Sequence, residues 1–237
     1  EDDEFKFEVT EQIPNEQRFE DTPLPFPSIE SLQKAKQTIS KELLVDETKI
    51  EQIISNLLSG KNVLLTGPVG SGKTHLATIL PKLVWADLGG YYSQVYTATA
   101  DWTTQDVIGG IYPKVDSKNN VTYDIQKGCV AETVSKNWLN GDSSNRKRVT
   151  YSEAGSNSQF RGVWLVIDEF NRANIDRSFG QLFTALEYRH LQIPTTLEDK
   201  SFKDLIIPED YRIIGTLNTA DKHFLHSLSD ALKRRFA

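Results

Sequence analysis

Eight consecutive residues, Gly67-Pro68-Val69-Gly70-Ser71-Gly72-Lys73-Thr74, fit the pattern G-x-x-x-x-G-K-[ST]. Each residue type has a physical task there. Glycines let backbone N–H groups turn inward and approach phosphate oxygens with no Cβ in the way. A helix that follows adds the positive end of its dipole. Lys73 would reach the β- and γ-phosphates, and Thr74 would hold Mg2+. The implied ligands are Mg2+ and a nucleoside triphosphate. ATP and GTP stay open, because this loop reads phosphates and not the base.

Two apolar runs end in residues suited to the same chemistry. Gly162 to Ile167 leads into Asp168 and Glu169. Asp168 is placed to hold Mg2+, directly or through water, and Glu169 to orient and polarise an attacking water. Phosphoryl transfer needs positioning and charge stabilisation more than covalent chemistry, so one metal ligand and one base suffice. Ile213 to Leu217 leads into Asn218. Its amide can hydrogen-bond the γ-phosphate or the water, or it can simply cap the next segment as a turn residue. Lys233-Arg234-Arg235 is a basic cluster at a predicted helix end. It can complement the helix dipole, or supply an arginine finger to a neighbouring subunit's nucleotide, a device that contributes ~10^3 to 10^5 in rate.

These groups need a frame. Asn62 to Thr66 reads as a short buried strand before the glycine loop, and His75 to Leu83 as the helix after it. Ile50, Ile53, Ile54, Leu57 and Leu58 repeat at helical spacing within a helical region from Ser28, an N-cap, to Leu58. Strands are predicted at Tyr91 to Ala98, Gly162 to Ile167 and Tyr211 to Leu217, and helices at Thr103 to Val107, Gly128 to Leu139, Asn174 to Tyr188 and Asp221 to Arg235. Two hairpins are predicted, Ile111 to Ile125 and His190 to Pro208. Asn140 to Arg161 is polar and reads as an inserted loop or weak hairpin. Its Arg146-Lys147-Arg148 run reads as a solvated stretch, with DNA or a partner as the sharper possibility. Strands alternating with helices imply an α/β fold, a parallel sheet sandwiched by helices with two inserted β-hairpins. Ligands in such sheets sit beyond the carboxyl ends of the strands.

Composition narrows the class. At 237 residues and 38% hydrophobic, the chain fits one large domain with a sizeable core. No apolar run approaches the ~18 residues of a membrane span. Cys129 is the single cysteine, which excludes an intrachain disulfide framework and suits a reducing, cytoplasmic setting. Residues 1–30 carry ten acids and two bases, a balance of −8 against −6 for the whole chain. The other 207 residues therefore balance at +2. The division expected is an acidic, proline-containing linker or tail over 1–30 and a nucleotide-binding core over 31–237. Nothing makes a global basic footprint for nucleic acid. The sequence has no methionine and is read as a fragment.

Three strings carry a family resemblance: Ile167-Asp-Glu-Phe-Asn-Arg-Ala-Asn174, Ile213-Ile-Gly-Thr-Leu-Asn-Thr-Ala-Asp221, and Ala231-Leu-Lys-Arg-Arg-Phe-Ala237. From about Leu43 to Ala237 the chain resembles AAA+ ATPases of the MoxR/dynein-related branch. It is most similar to McrB-like motor subunits of modification-dependent restriction systems, which use GTP. The resemblance implies that Lys73, Thr74, Asp168 and Glu169 are the phosphate, metal and catalytic groups. It makes Asn218 a sensor of the γ-phosphate, and Arg234 and Arg235 a pair acting in trans. It implies a homo-oligomeric ring, a hexamer, with a nuclease subunit and DNA as partners, and no membrane. The hairpins resemble inserts that face the ring pore. The family's small helical lid is not found within these residues. A MoxR-like remodeller of protein complexes and a slow nucleotide-gated scaffold are the competing outputs.

Overall fold

The computed structural model describes residues 17–115, 117, 119–194, 202–218 and 230–237. Its helices are α1 (Ile29–Glu42), α2 (Glu47–Leu58), α3 (Lys73–Val84), α4 (Thr104–Val107), α5 (Cys129–Ser135), α6 (Ile175–Tyr188) and α7 (Asp230–Arg235). The strands up to the first hairpin are β1 (Arg18–Glu20), β2 (Val63–Gly67), β3 (Tyr91–Thr97), β4 (Gly109–Val115) and β5 (Val121–Lys127). Then come β6 (Lys147–Val149), β7 (Tyr151–Ser152), β8 (Gln159–Phe160), β9 (Gly162–Asp168), β10 (His190–Pro194), β11 (Phe202–Ile206) and β12 (Ile213–Asn218).

Four strands make the central sheet in the order β2-β12-β9-β3, every pair parallel. Phe236 bridges Asn62 in parallel, and the Leu64 N–H donates to the Ala237 carbonyl at 2.9 Å, so the chain after α7 runs along the other side of β2. All carboxyl ends therefore point one way. The strands are apolar on both sides because both faces are covered. Leu165 and Ile167 of β9 and Ile213 and Leu217 of β12 join one core with α5 and α6. Trp164, Val166 and Ile214 face a second core under α1, α2 and α3. Successive residues pointing to opposite faces produce this division. The α/β sandwich read from the sequence is the fold observed.

Local signals account for the element boundaries. The Ser28 hydroxyl accepts the Ser31 N–H at 3.1 Å and starts α1. Asp46 and Asn174 cap α2 and α6 in the same way. The two expected hairpins form as β4–β5 and β10–β11, both antiparallel.

Two expectations need correction. The helix from Gly128 stops at Ser135, short of Leu139. The Asn137 amide competes with the helix: it donates to the Thr133 and Val163 carbonyls and accepts the Val163 N–H at 2.9 Å. The 140–161 segment contains the weak hairpin read as one of its alternatives, but it is not a solvated insert throughout. It holds β6, which pairs with β1, and the β7–β8 hairpin. Arg146 and Lys147 are exposed as expected, but Arg148 is wholly buried. Its guanidinium donates to Asp210 at 2.6 Å, to Asp21 at 2.9 Å and to the Asn137 carbonyl at 3.1 Å.

Of the expected linker, residues 1–16 lie outside the described residues. From Arg18 the chain is attached to the core through β1 and the Asp21 ion pair. Leu24 is buried, and the Trp85 indole donates to the Pro25 carbonyl at 2.7 Å. Of the helix expected over 221–235, residues 221–229 lie outside the described residues and α7 is the part described.

Candidate functional site

The sheet register assembles the site. Gly67, last in β2, is the parallel partner of Asn218, last in β12. On the other side of β12 lies β9, which ends at Asp168. The glycine loop, both acids and the amide thus leave the carboxyl edge side by side.

The loop is built as its residue types require. Gly70 and Gly72 have φ of +75° and +79°, the left-handed region that glycine enters without Cβ penalty. A Cβ on Gly72 would also lie 2.5 Å from the Leu43 side chain. Gly72 precedes the first turn of α3, so the loop feeds straight into a helix N-terminus. Lys73 folds back over the loop and donates to the Gly67 and Pro68 carbonyls at 3.0 and 2.7 Å. Ser71 lies 3.5 Å from the same ammonium, and Val69 is exposed at the loop tip.

Thr74 and Asp168, 94 residues apart in sequence, are in contact: the hydroxyl donates to Oδ1 at 2.7 Å. One hydroxyl and one carboxylate side by side suit Mg2+, which takes one or two protein oxygens and fills its octahedron with phosphate oxygens and water. Among the described residues no group of three His, Cys, Asp or Glu side chains forms a self-sufficient metal cage. The donor set therefore fits a metal that arrives with a nucleotide.

Glu169 leaves the strand alternation. Its backbone is left-handed, with φ of +53°, a conformation that costs a non-glycine residue about 1–2 kcal/mol. Its carboxylate pairs with Arg172 in a fork, Nε to Oε2 at 2.7 Å and Nη2 to Oε1 at 3.1 Å. Two further residues carried no expectation from sequence and touch these acids. One is Arg172. The other is Thr216, whose hydroxyl donates to Asp168 Oδ1 at 2.5 Å and accepts the Glu169 N–H at 3.1 Å. A hydroxyl inside an apolar strand was the only available signal for Thr216.

Arg234 and Arg235 do not join this constellation. The Asn62 N–H donates to the Arg235 carbonyl at 2.9 Å, which sets the pair at the amino end of β2. Five residues of strand, ~16 Å, separate that point from Gly67. Arg234 is exposed, and Arg235 pairs with Glu187 of α6.

Beside the loop a cleft of about 430 Å³ opens between α2 and β2, lined by Leu44, Val45, Asp46, Lys49, Ile53 and Leu64 among others. Its volume falls within the range of small-molecule sites. It is continuous with Gly67 and Lys73, and the α1–α2 connection supplies a wall that the sequence did not suggest.

A glycine-loop strand and helix, an acid-tipped neighbouring strand and this sheet order define an α/β P-loop nucleoside-triphosphatase. The chain belongs to the AAA domain family, dynein-related subfamily, whose family model matches residues 62–236. It is 26% identical over 200 residues to the EcoKMcrB subunit of a type IV methyl-directed restriction enzyme of Escherichia coli K12. That match covers 83% of this chain and 38% of the relative, so the chain spans well under half of the relative's length. Among solved structures, an inferred ATPase from Cytophaga hutchinsonii is similar in fold, with a TM-score of 0.50 and 17% identity over 87% of this chain and 49% of that one. The chain is thus an AAA+ ATPase domain related to McrB, and its family implies nucleotide binding and hydrolysis.

Proposed function

We propose that this domain is the motor core of a ring-forming, McrB-like nucleoside-triphosphatase that acts on DNA with a nuclease partner in restriction or anti-phage defence. The observation that carries the reading is the separation of groups. Lys73, Thr74, Asp168, Glu169 and Asn218 gather at the carboxyl edge, while Arg234 and Arg235 stand at the amino end of β2. An arginine pair that far from its own phosphate loop needs a neighbour's site to act on, and a closed ring of copies, a hexamer, supplies one.

In this reading the loop N–H groups and Lys73 cradle the phosphates, and the base and ribose lie in the cleft under Leu44 and Val45. Thr74 and Asp168 would hold Mg2+, which would supply positive charge against the phosphate oxygens. Glu169 accepts a proton from the attacking water. The water oxygen bonds the γ-phosphorus as the bond from that phosphorus to the β–γ bridging oxygen breaks, and the nucleoside diphosphate and inorganic phosphate leave. Asn218 reports the γ-phosphate. The β4–β5 and β10–β11 hairpins carry the change to the substrate. Exposed Ile111, Val115, Val121 and Tyr123 give the first hairpin a contact surface.

The deciding test is hydrolysis of ATP and GTP, side by side, by the full-length protein. Clear preference for GTP supports the restriction motor. Clear preference for ATP leaves the AAA+ chemistry intact and moves the output to MoxR-like remodelling of protein complexes.

A further inference from the structure

We infer that Thr216 is a positioning residue for both acids, and that through it β12 sets the geometry of metal binding and water activation together. The inference rests on Asp168 and Glu169 being the metal-holding and water-orienting pair. It starts from one buried hydroxyl with two bonds. Thr216 is 2% exposed, in the middle of the sheet, where a polar group must be matched. Its single proton goes to Asp168 Oδ1 at 2.5 Å, and its lone pair takes the Glu169 N–H at 3.1 Å.

Each bond has a consequence. Oδ1 of Asp168 also accepts from Thr74 at 2.7 Å, so two hydroxyls from two different elements fix that carboxylate's rotation. The orientation of the carboxylate is set before any metal arrives, which lowers the reorganisation needed on binding. The second bond holds the N–H of a residue in left-handed backbone. That backbone turns the Glu169 side chain out of the strand plane, so the acceptor on Thr216 supports the pose of the base. Both effects act through other residues, and Thr216 itself is remote from solvent.

The place of Thr216 on β12 adds the coupling. Side chains two apart on a strand share a face, so Thr216 and Asn218 lie on the same face. A displacement of β12 produced by contact at Asn218 is transmitted by Thr216 to both acids. Valine would preserve the shape and remove both hydrogen bonds.

The test compares Thr216→Val, Thr216→Ser and Thr216→Ala with the wild type in the full-length protein. Turnover is read at saturating nucleotide, and affinity for a fluorescent nucleotide is read across a Mg2+ titration. The expected result for Thr216→Val is a loss of kcat of roughly 10- to 100-fold, a several-fold higher Mg2+ requirement for tight binding, and Mg2+-free affinity within about twofold of wild type. Thr216→Ser should recover most of both. Serine and alanine differ only by the hydroxyl, so this pair decides the matter should valine not fold. Wild-type kcat and Mg2+ dependence in Thr216→Ala, or equal impairment in the serine and alanine variants, overturns the inference. Glu169→Gln, run alongside, reports on the underlying assignment: full turnover there removes Glu169 from the chemistry whatever Thr216 does.

Discussion

The two ends of the parallel sheet handle charge in opposite ways. At the carboxyl edge, Lys73, Asp168 and Glu169 are partly exposed: Lys73 rests on loop carbonyls, Asp168 on two threonine hydroxyls and Glu169 on the exposed Arg172. At the amino end, Arg148 and Asp210 are buried and locked to each other. Arg161 stands 3.4 Å from Asp210, the Tyr91 hydroxyl donates to it at 2.9 Å, and Asp21 closes the cluster from the N-terminal segment. Burial works against the charge of Arg148, yet Asp210 and Asp21 outweigh it and hold its pKa above the ordinary value. Burial, reinforced by Asp210, pushes the Tyr91 hydroxyl well up. Burial, with neighbouring Arg189, brings Arg212 down to about 10. The shifted groups Tyr91, Arg148 and Arg212 thus lie at the structural end of the sheet, away from the proposed phosphate site. Perturbed protonation is a probabilistic guide to function, because structural ion networks produce it too.

This contrast can be broken or sharpened by substitution. The largest effect is expected from Arg234→Ala with Arg235→Ala, a loss of ~10^3 to 10^5 in turnover with nucleotide binding kept. Mixing with Lys73→Ala subunits should restore part of the activity, since each subunit then supplies what its neighbour lacks. Absence of recovery at every mixing ratio argues against action in trans. Next, Glu169→Gln should lower turnover ~10^2- to 10^4-fold while nucleotide affinity stays; unchanged hydrolysis would place the base elsewhere.

The amino end should respond in stability and not in rate. Arg148→Met leaves Asp210 and Asp21 without their shared cation and should cost about 3–5 kcal/mol in denaturant unfolding. Its turnover per folded molecule should match wild type, and a selective loss of kcat would blur the division of labour between the two ends. The smallest effect concerns Glu132, on α5 beside the edge strand β3. Burial raises its carboxyl, but hydrogen bonds from Lys136, Tyr96 and Gln94 prevail and bring it to about 2. Its contribution to stability is then present above the unfolded value near 4.5 and fades as pH falls from there toward 2. Glu132→Gln should flatten the fall of Tm over that window, and an unchanged slope would show that other carboxylates carry it.

Much of the candidate site was legible because it is local. The glycine loop needs residues with no Cβ at fixed spacing, and the acids must follow an apolar strand, so both leave marks in a short window of sequence. The roles of Thr216 and Arg172 were not legible, since a threonine in a strand or an arginine after an acid is ordinary until its partner is known. Arg148 shows the opposite failure. Three adjacent cations looked solvated, and only one of them is buried, because its counter-ions Asp21 and Asp210 come from 127 and 62 residues away.

The sequence by itself determined the class of fold and the phosphate chemistry, because periodicity and motif spacing act within one strand, one turn and one helix. The tertiary structure decided the strand order, the register that sets Asn218 beside Gly67, the burial of Arg148, and the distance between the arginine pair and its own phosphate loop. Those depend on contacts between residues far apart in the chain, which only the packed sheet brings together.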